Sequence, residues 1–205
     1  MNKKLIHIVI RDNKITLTDR QHLNGHQSFV LWFTGLSGAG KSTLALEVEK
    51  ELYKRQIRSY VLDGDNIRQG LNNDLGFNPE ERRENIRRIG EVAKLFFDAG
   101  IVALAAFISP YQEDRASVRG LFKPGRFVEI YVKCALEECE RRDPKSLYKK
   151  AHRGVIQNFT GISAPYEVPA GPELIVETDN QTPAESAQKI ISYLENNGYF
   201  SFSPC

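Results

Sequence analysis

The sequence is poor in the features that mark secreted, membrane and nucleic-acid-binding proteins. Its three cysteines, Cys134, Cys139 and Cys205, are an odd number without repeated spacing, which argues against a disulfide framework and predicts a cytoplasmic protein with reduced thiols. No apolar run approaches the ~18 residues of a membrane span, and the run at residues 5–10 is too short for a signal peptide. A net charge of +2 is too small to predict binding to nucleic acid or to a membrane.

What the chain does contain is a series of short apolar runs that alternate with helical patterns. The apolar runs lie at 29–33, 59–62, 101–108, 126–133 and 174–177, and the main helical patterns at 41–54, 79–100 and 183–195. This alternation predicts an α/β fold, in which a parallel β-sheet carries helices on both faces. Cys134 and Cys139 lie in or near the predicted fourth strand, so we expect both thiols to be buried.

A length of 205 residues suits one domain. We expect an N-terminal extension at 1–27, with a weak hairpin formed by residues 5–10 and 15–17, then the main domain at 28–197 and a tail at 198–205. The stretch at about 142–172 is basic and has no clear period, which is typical of a mobile lid.

A phosphate-binding motif follows the first strand of the domain. Residues 35–42 fit G-x-x-x-x-G-K-[ST] at every fixed position and open a helix with an apolar face. Backbone N–H groups of such a loop bind phosphates, Lys41 reaches the β- and γ-phosphates, and the Ser42 hydroxyl ligates Mg²⁺. The motif therefore predicts a P-loop NTPase-type fold with MgATP as cofactor. The predicted nucleotide-binding residues are Gly35, Ser37, Gly38, Ala39, Gly40, Lys41, Ser42 and Thr43.

Two carboxylates follow the second strand. Asp63 and Asp65 lie where the ligands of a parallel sheet bind, so one of them can hold Mg²⁺ with Ser42 and orient or deprotonate an attacking hydroxyl. The alternative is a turn in which Asp65 caps a helix that starts at Asn66. Arg68 is either a surface ion-pair partner or an anchor for a second anionic group.

The helix that begins near Pro79 is rich in arginine. Mixed Glu and Arg residues on a helix usually form only a solvated surface. Arg82 and Asn85 are three residues apart and share one face, so the functional alternative is a clamp for an anionic acceptor.

Taken together, these motifs resemble those of the adenylylsulfate kinases, in the same order over about residues 20–197. The resemblance is carried by residues 33–43, 62–68, 76–77, 82, 84–88, 108–111, 142–145, 147–151 and 158–162. Two positions depart from the usual pattern of that family: Ala39 stands where serine is frequent, and Arg83 adds a positive charge.

The resemblance implies that the γ-phosphate of MgATP is transferred to the 3′-hydroxyl of adenosine 5′-phosphosulfate in sulfate assimilation. It implies that Phe77 and Phe159 sandwich the acceptor's adenine. It also suggests a homodimer. The catalytic residues it implies are Lys41, Asp63, Ser109 and Lys145. The acceptor-binding residues it implies are Asp65, Arg68, Phe77, Arg82, Asn85, Ile108, Ser109, Lys145 and Phe159.

Ser109 has two interpretations at this stage. Some members of the family are described with a phosphoserine at this position, so a phosphoenzyme is one hypothesis. The other, which we favour, is a hydroxyl that only donates a hydrogen bond or lies in a turn, because in-line transfer needs no protein nucleophile.

Three rival functions are weighed against a kinase of this kind. The first is a P-loop kinase for another small molecule, such as a nucleotide, gluconate or shikimate, whose acceptor residues would differ. The second is a regulatory nucleotide-binding module, which could lack Asp63, Arg82 or Lys145; all three are present. The third is one half of a bifunctional sulfate-activating enzyme; the chain is too short to hold a second enzyme domain.

Overall fold

The computed structural model describes residues 14–200. The predicted strand at 5–10, Cys205 and residues 201–205 of the predicted tail lie outside this range. Within it, no helix is long and apolar enough to cross a membrane.

Five strands form one parallel sheet in the described part of the chain, and all five predicted strands are confirmed. Their bounds are Val30–Thr34 (β1), Ser59–Asp63 (β2), Val102–Ala106 (β3), Phe127–Lys133 (β4) and Leu174–Glu177 (β5). The strand order is β2-β3-β1-β4-β5, so the strand that precedes the phosphate motif lies at the centre. Val30 of that strand pairs with Ala103 on one side and with Phe127 on the other.

Eight helices lie within residues 14–200, and the three long ones match the predicted helical patterns. They are Leu17–Asn24 (α1), Lys41–Lys54 (α2), Gly64–Arg68 (α3), Pro79–Asp98 (α4), Gln112–Arg119 (α5), Leu136–Arg142 (α6), Leu147–His152 (α7) and Pro183–Asn196 (α8). Helix α4 begins where predicted, because the Asn78 side chain accepts from the N–H of Glu81 while Glu81 accepts from the N–H of Asn78.

Helix α1 corrects the prediction of a strand at 15–17. Thr16 caps this helix: its hydroxyl accepts from the Asp19 N–H at 3.2 Å, and the Asp19 carboxylate accepts from the Thr16 N–H at 2.7 Å. This reciprocal pair is a helix-start signal, and it outweighs the β-propensity of Ile15. Asn24, at the end of the helix, donates to the carbonyl of Gly100 and so attaches α1 to the domain.

The central strand is buried on both faces, as expected for a parallel sheet between two helical layers. Leu31 and Phe33 belong to one apolar cluster, together with side chains of α2 and α8. Val30 and Trp32 point the other way, into a second cluster with side chains of α4 and α5. The helices on both faces confirm the predicted three-layer α/β/α architecture. The thiols of Cys134 and Cys139 are buried and free, as predicted.

Candidate active site

The phosphate motif is a curled loop whose shape depends on its glycines. Gly35, Gly38 and Gly40 all have positive φ, at 152°, 75° and 91°. A Cβ on Gly35 would lie 2.4 Å from the carbonyl oxygen of Val132, and one on Gly38 would lie 2.9 Å from that of Cys139. Since both obstacles are backbone atoms, no larger residue fits, and the loop is held in the form that points its N–H groups at an anion.

Lys41 places a cation inside this loop. The residue is buried, and its Nζ donates to the carbonyl of Leu36 at 2.7 Å. Burial lowers the pKa of Lys41 to about 8, against the opposing effect of the carboxylates of Asp63 and Asp65. A lysine in this state gains most from an anionic ligand, because a phosphate would compensate its desolvated charge.

Ser42 and Asp63 form a pair of oxygen ligands at the edge of the loop. The Ser42 hydroxyl donates to Asp63 Oδ2 at 2.6 Å, and Asp63 Oδ1 accepts from the N–H groups of Asp65 and Asn66. Asp63 is therefore the N-cap of α3, and the alternative in which Asp65 has that role is wrong. Because α3 starts at Gly64, its cap is Asp63, the last residue of β2, and the Asp65 side chain takes no part in the cap.

This pair fits Mg²⁺, which is usually held by one or two protein oxygens while phosphates and water supply its other ligands. Among residues 14–200, no cluster of three or more His, Cys, Asp or Glu side chains could hold a metal by itself. A divalent cation at Ser42 and Asp63 would accordingly need a bound nucleotide to complete its coordination.

Arg68, Phe77 and Arg82 form a cationic and aromatic surface across from the loop. The Arg68 guanidinium lies 4.2 Å from the centre of the Phe77 ring, and that of Arg82 lies 5.7 Å from it. Arg82 also donates to the carbonyl of Phe77 at 2.8 Å. Phe77 is 55% exposed, so part of its surface remains open to a planar ligand. Burial lowers the pKa of both arginines, yet guanidinium stays protonated at neutral pH.

Asn85 extends the same surface inwards. It is buried one helical turn from Arg82, as its spacing predicts, and its Oδ1 accepts from Asn72 Nδ2 at 3.0 Å. This hydrogen bond occupies the carbonyl end of the Asn85 amide. The NH₂ end is thereby left as the group available to a ligand, which suits an anionic acceptor.

The loop after β3 contributes Ile108 and Ser109. Ser109 is only 2% exposed and has a positive φ of 40°. Its hydroxyl accepts from Trp32 Nε1 at 3.1 Å and donates to the carbonyl of Phe107 at 3.4 Å. The hydroxyl thus uses its donor and one of its two acceptor sites within the protein, which favours the interpretation of Ser109 as a structural or hydrogen-bonding residue.

The predicted lid contacts both the phosphate loop and the surface formed by Arg68, Phe77 and Arg82. Lys145 forms an ion pair with Asp65, and Arg82 donates to the carbonyl of Asn158 at 2.7 Å. Tyr148 donates to the carbonyl of Ser37 in the phosphate loop at 2.9 Å. Phe159 packs edge-on against Tyr148 and is 7% exposed, so its ring is largely covered while Phe77 is open.

One cavity of about 1400 Å³ joins these parts. Of the predicted site residues, only Gly35 and Ala39 do not line it: Gly35 lies against the backbone of Val132, and Ala39 is fully buried. The lining residues that were predicted are Ser37, Gly38, Gly40, Lys41, Ser42, Thr43, Asp63, Asp65, Arg68, Phe77, Arg82, Asn85, Ile108, Ser109, Lys145 and Phe159.

Two further residues support the phosphate loop and were not predicted to. Thr178 donates from Oγ1 to the carbonyl of Ala39 at 2.8 Å, and Arg142 donates to the carbonyl of Thr178 at 2.7 Å. Both line the cavity. A signal for Thr178 is present in the sequence, because the residue directly follows an apolar strand, at the end of the sheet where ligands bind.

The central-strand position of the loop, the strand order and the Lys41–Ser42–Asp63 geometry define a P-loop kinase. A sequence model of the family "Adenylylsulphate kinase" matches residues 27–177. The chain belongs to this family.

Individual relatives agree over nearly the whole length. The chain is 59% identical to an adenylyl-sulfate kinase of Oceanobacillus iheyensis, over 97% of this chain and 100% of that protein. It is 61% identical to a probable adenylyl-sulfate kinase of Bacillus subtilis, over 90% of this chain and 92% of that protein. Its fold is similar to the Mycobacterium tuberculosis APS kinase solved in complex with AMPPNP and APS, with a TM-score of 0.79 and 46% identity, covering 83% of this chain and 99% of the other.

Proposed function

We propose that this chain is an adenylyl-sulfate kinase, which transfers the γ-phosphate of ATP to the 3′-hydroxyl of adenosine 5′-phosphosulfate. The products are ADP and 3′-phosphoadenosine-5′-phosphosulfate. The observation that carries this proposal is the single cavity shared by a triphosphate loop and an arginine-rich, aromatic acceptor surface. Membership of the family and the similarity to a kinase solved with APS support the same acceptor.

The donor half of the cavity, formed by the phosphate loop with Lys41, Ser42 and Asp63, binds ATP. Backbone N–H groups of residues 36–42 would hold the phosphates, and Lys41 would leave the carbonyl of Leu36 to reach the β- and γ-oxygens. Ser42 and Asp63 would hold Mg²⁺, which when bound neutralises charge on the phosphates.

The acceptor half binds adenosine 5′-phosphosulfate. Arg68, Arg82 and the Asn85 amide offer donors for the phosphosulfate and ribose, and the open face of Phe77 offers a stacking surface for adenine. Phe159 would supply the second face, which requires its ring to turn away from Tyr148 when the acceptor enters.

In the chemical step, the acceptor's 3′-oxygen forms a bond to the γ-phosphorus while the bond from that phosphorus to the β,γ-bridging oxygen breaks. The hydroxyl proton leaves towards the carboxylate of Asp63, and ADP is the leaving group. Lys41 and Lys145 stabilise the charge that builds on the transferred group. The lid excludes water, which would otherwise hydrolyse ATP.

We call the loop after β3, which contains Ile108 and Ser109, the acceptor loop. Ser109 is proposed as a hydrogen-bonding residue of this loop rather than as the site of a phosphoenzyme intermediate. Its burial and its bond with Trp32 support this assignment. A cytoplasmic homodimer is proposed for the assembly. Free, buried Cys134 and Cys139 agree with a reducing compartment, and a light-scattering mass would test the dimer.

The decisive experiment follows ADP release from MgATP with adenosine 5′-phosphosulfate, AMP, gluconate and shikimate as separate acceptors. We expect turnover with adenosine 5′-phosphosulfate and none with the others. A Lys41→Ala variant controls for contaminating kinases. Turnover with another acceptor in place of adenosine 5′-phosphosulfate would move the chain to a different small-molecule kinase.

A further inference from the structure

A buried arginine outside the site described above contacts both the loop after β3 and the lid. Arg115 lies on α5 and is 2% exposed. Its guanidinium donates to Glu129 Oε1 at 2.7 Å, to the carbonyl of Ser109 at 2.6 Å and to the carbonyl of Glu167 at 2.7 Å. Ser109 belongs to the acceptor loop, and Glu167 to the last part of the lid. One side chain therefore joins the acceptor loop, the lid and strand β4.

Neighbouring hydrogen bonds join the same two segments, the loop after β3 and the last part of the lid. The Glu167 N–H donates to the carbonyl of Pro110 at 2.9 Å, and the Gln112 N–H donates to Glu167 Oε2 at 2.6 Å. Gln112 Nε2 donates to the carbonyl of Val168 at 2.9 Å. Arg115 is the buried charge among these hydrogen bonds. Its own bonds to two carbonyls are charge-assisted and therefore strong.

Ser109 needs such support, because its backbone is in the left-handed region. Non-glycine residues adopt a positive φ only when their surroundings hold them there. Three contacts do so: Arg115 at 2.6 Å and the Thr34 hydroxyl at 3.4 Å donate to the carbonyl of Ser109, and Trp32 donates to its hydroxyl. Loss of Arg115 would leave only the longer of the two bonds to that carbonyl, so the peptide that follows Ser109 would be less firmly held, and with it the wall of the acceptor site.

We propose that Arg115 is a positioning residue for acceptor binding. It touches no substrate; it acts through Ser109 and Glu167, and sets the acceptor loop against the closing lid. The inference rests on the proposed function for its substrate, adenosine 5′-phosphosulfate. It predicts a selective loss of acceptor affinity, where a merely structural arginine would affect donor and acceptor alike.

The chain offers a matched control in Arg119, one helical turn further along α5. Arg119 donates to Glu129 Oε2 at 3.1 Å and to Glu173 at 2.5 Å. It thus shares the same buried carboxylate, but its hydrogen bonds reach neither Ser109 nor Glu167. Because Arg119 still pairs with Glu129, removal of Arg115 does not leave that carboxylate without a cation.

The experiment compares Arg115→Met, Arg115→Lys and Arg119→Met. We expect Arg115→Met to raise the KM for adenosine 5′-phosphosulfate about tenfold, as the loss of a charged hydrogen bond does, with the KM for ATP within about twofold of the wild type. Arg119→Met should leave both KM values within about twofold. Arg115→Lys keeps the charge beside Glu129 and should restore part of the affinity. It also serves if the methionine variant does not fold.

Trp32 provides a readout that does not depend on activity. It is the single tryptophan of the sequence, and its Nε1 lies 3.1 Å from Ser109 Oγ. Arg115→Met should shift its fluorescence emission more than Arg119→Met does. Equal KM values and equal emission in the two methionine variants would overturn the proposal, even if both were destabilised. A wild-type protein inactive on adenosine 5′-phosphosulfate would refute the proposed function instead, while the emission comparison would still test the role of Arg115.

Discussion

The donor and acceptor halves of the cavity are built by different means. The donor half is a backbone structure: three glycines with positive φ fix a loop whose N–H groups we propose bind the phosphates, and Gly35 lies too close to Val132 for any side chain. The acceptor half is a side-chain structure. Arg68 and Arg82 reach it from different helices and now donate to carbonyls of Leu75 and Asn158.

This difference determines how each half responds to a ligand. The donor half is preorganised, because its conformation is set by local backbone geometry before ATP arrives. If the acceptor binds as proposed, the acceptor half must exchange internal hydrogen bonds, such as those of Arg82, for bonds to the substrate. Substitutions in the donor half should therefore reduce turnover, whereas those in the acceptor half should mainly weaken binding.

The largest effect is expected for Lys41→Ala. Removal of the cation beside the transferred phosphate should lower kcat by about 10³-fold, as the loss of a preorganised charge-stabilising donor does. Stability should not fall, because a buried charge is lost along with its desolvation cost. Steady-state ADP release and thermal unfolding measure the two quantities. Lys50→Ala, at an exposed position of the same helix, is the control and should behave as wild type.

Asp63→Asn should come next. Asparagine keeps the cap of α3, since it is as good an N-cap as aspartate, but it lacks the charge that we propose holds Mg²⁺ with Ser42. We expect kcat to fall about 10²-fold at low Mg²⁺, with partial recovery as Mg²⁺ is raised. Titration of activity with Mg²⁺ tests this, with Asp98→Asn as a surface control. A Mg²⁺ dependence equal to that of the wild type would remove Asp63 from the metal site.

Arg82→Ala tests the acceptor half. Its guanidinium donates to Phe77 and Asn158, and both bonds would be replaced by bonds to substrate. We expect the KM for adenosine 5′-phosphosulfate to rise about tenfold with a smaller change in kcat. Arg87→Ala is the matched control, because Arg87 lies on the same helix, is exposed and pairs only with Glu84 in the hydrogen bonds of the described chain. A dominant loss of kcat in Arg82→Ala would break the distinction between the two halves.

The contrast also explains what the sequence could predict. The phosphate loop and all five strands were predictable, because glycine conformations and buried apolar runs are local signals. The separation of Lys145 from Asp65 by 80 residues gives no such signal, and only the fold forms that ion pair. Helix α1 was missed although its capping box is present, because Ile15 and Leu17 suggested a strand. Arg115 looks like any helical surface arginine until α5 is placed against β4.

The smallest expected effect is a pH dependence that belongs to the donor half alone. Burial lowers the pKa of Lys41 to about 8, so the free enzyme loses this charge as the pH rises through 8. The bound phosphates favour the charged lysine, so above that pH ATP binding must take up a proton and weakens. The fraction of charged Lys41 falls about fourfold between pH 7 and 8.5, and ATP affinity should fall with it.

The affinity for adenosine 5′-phosphosulfate should change less, because the arginines proposed to bind it, Arg68 and Arg82, do not titrate in this range. Calorimetric titrations of each ligand at the two pH values measure both trends. Lys41→Arg, whose guanidinium stays charged, should flatten the ATP profile; if the profile persists in that variant, another group is responsible for it.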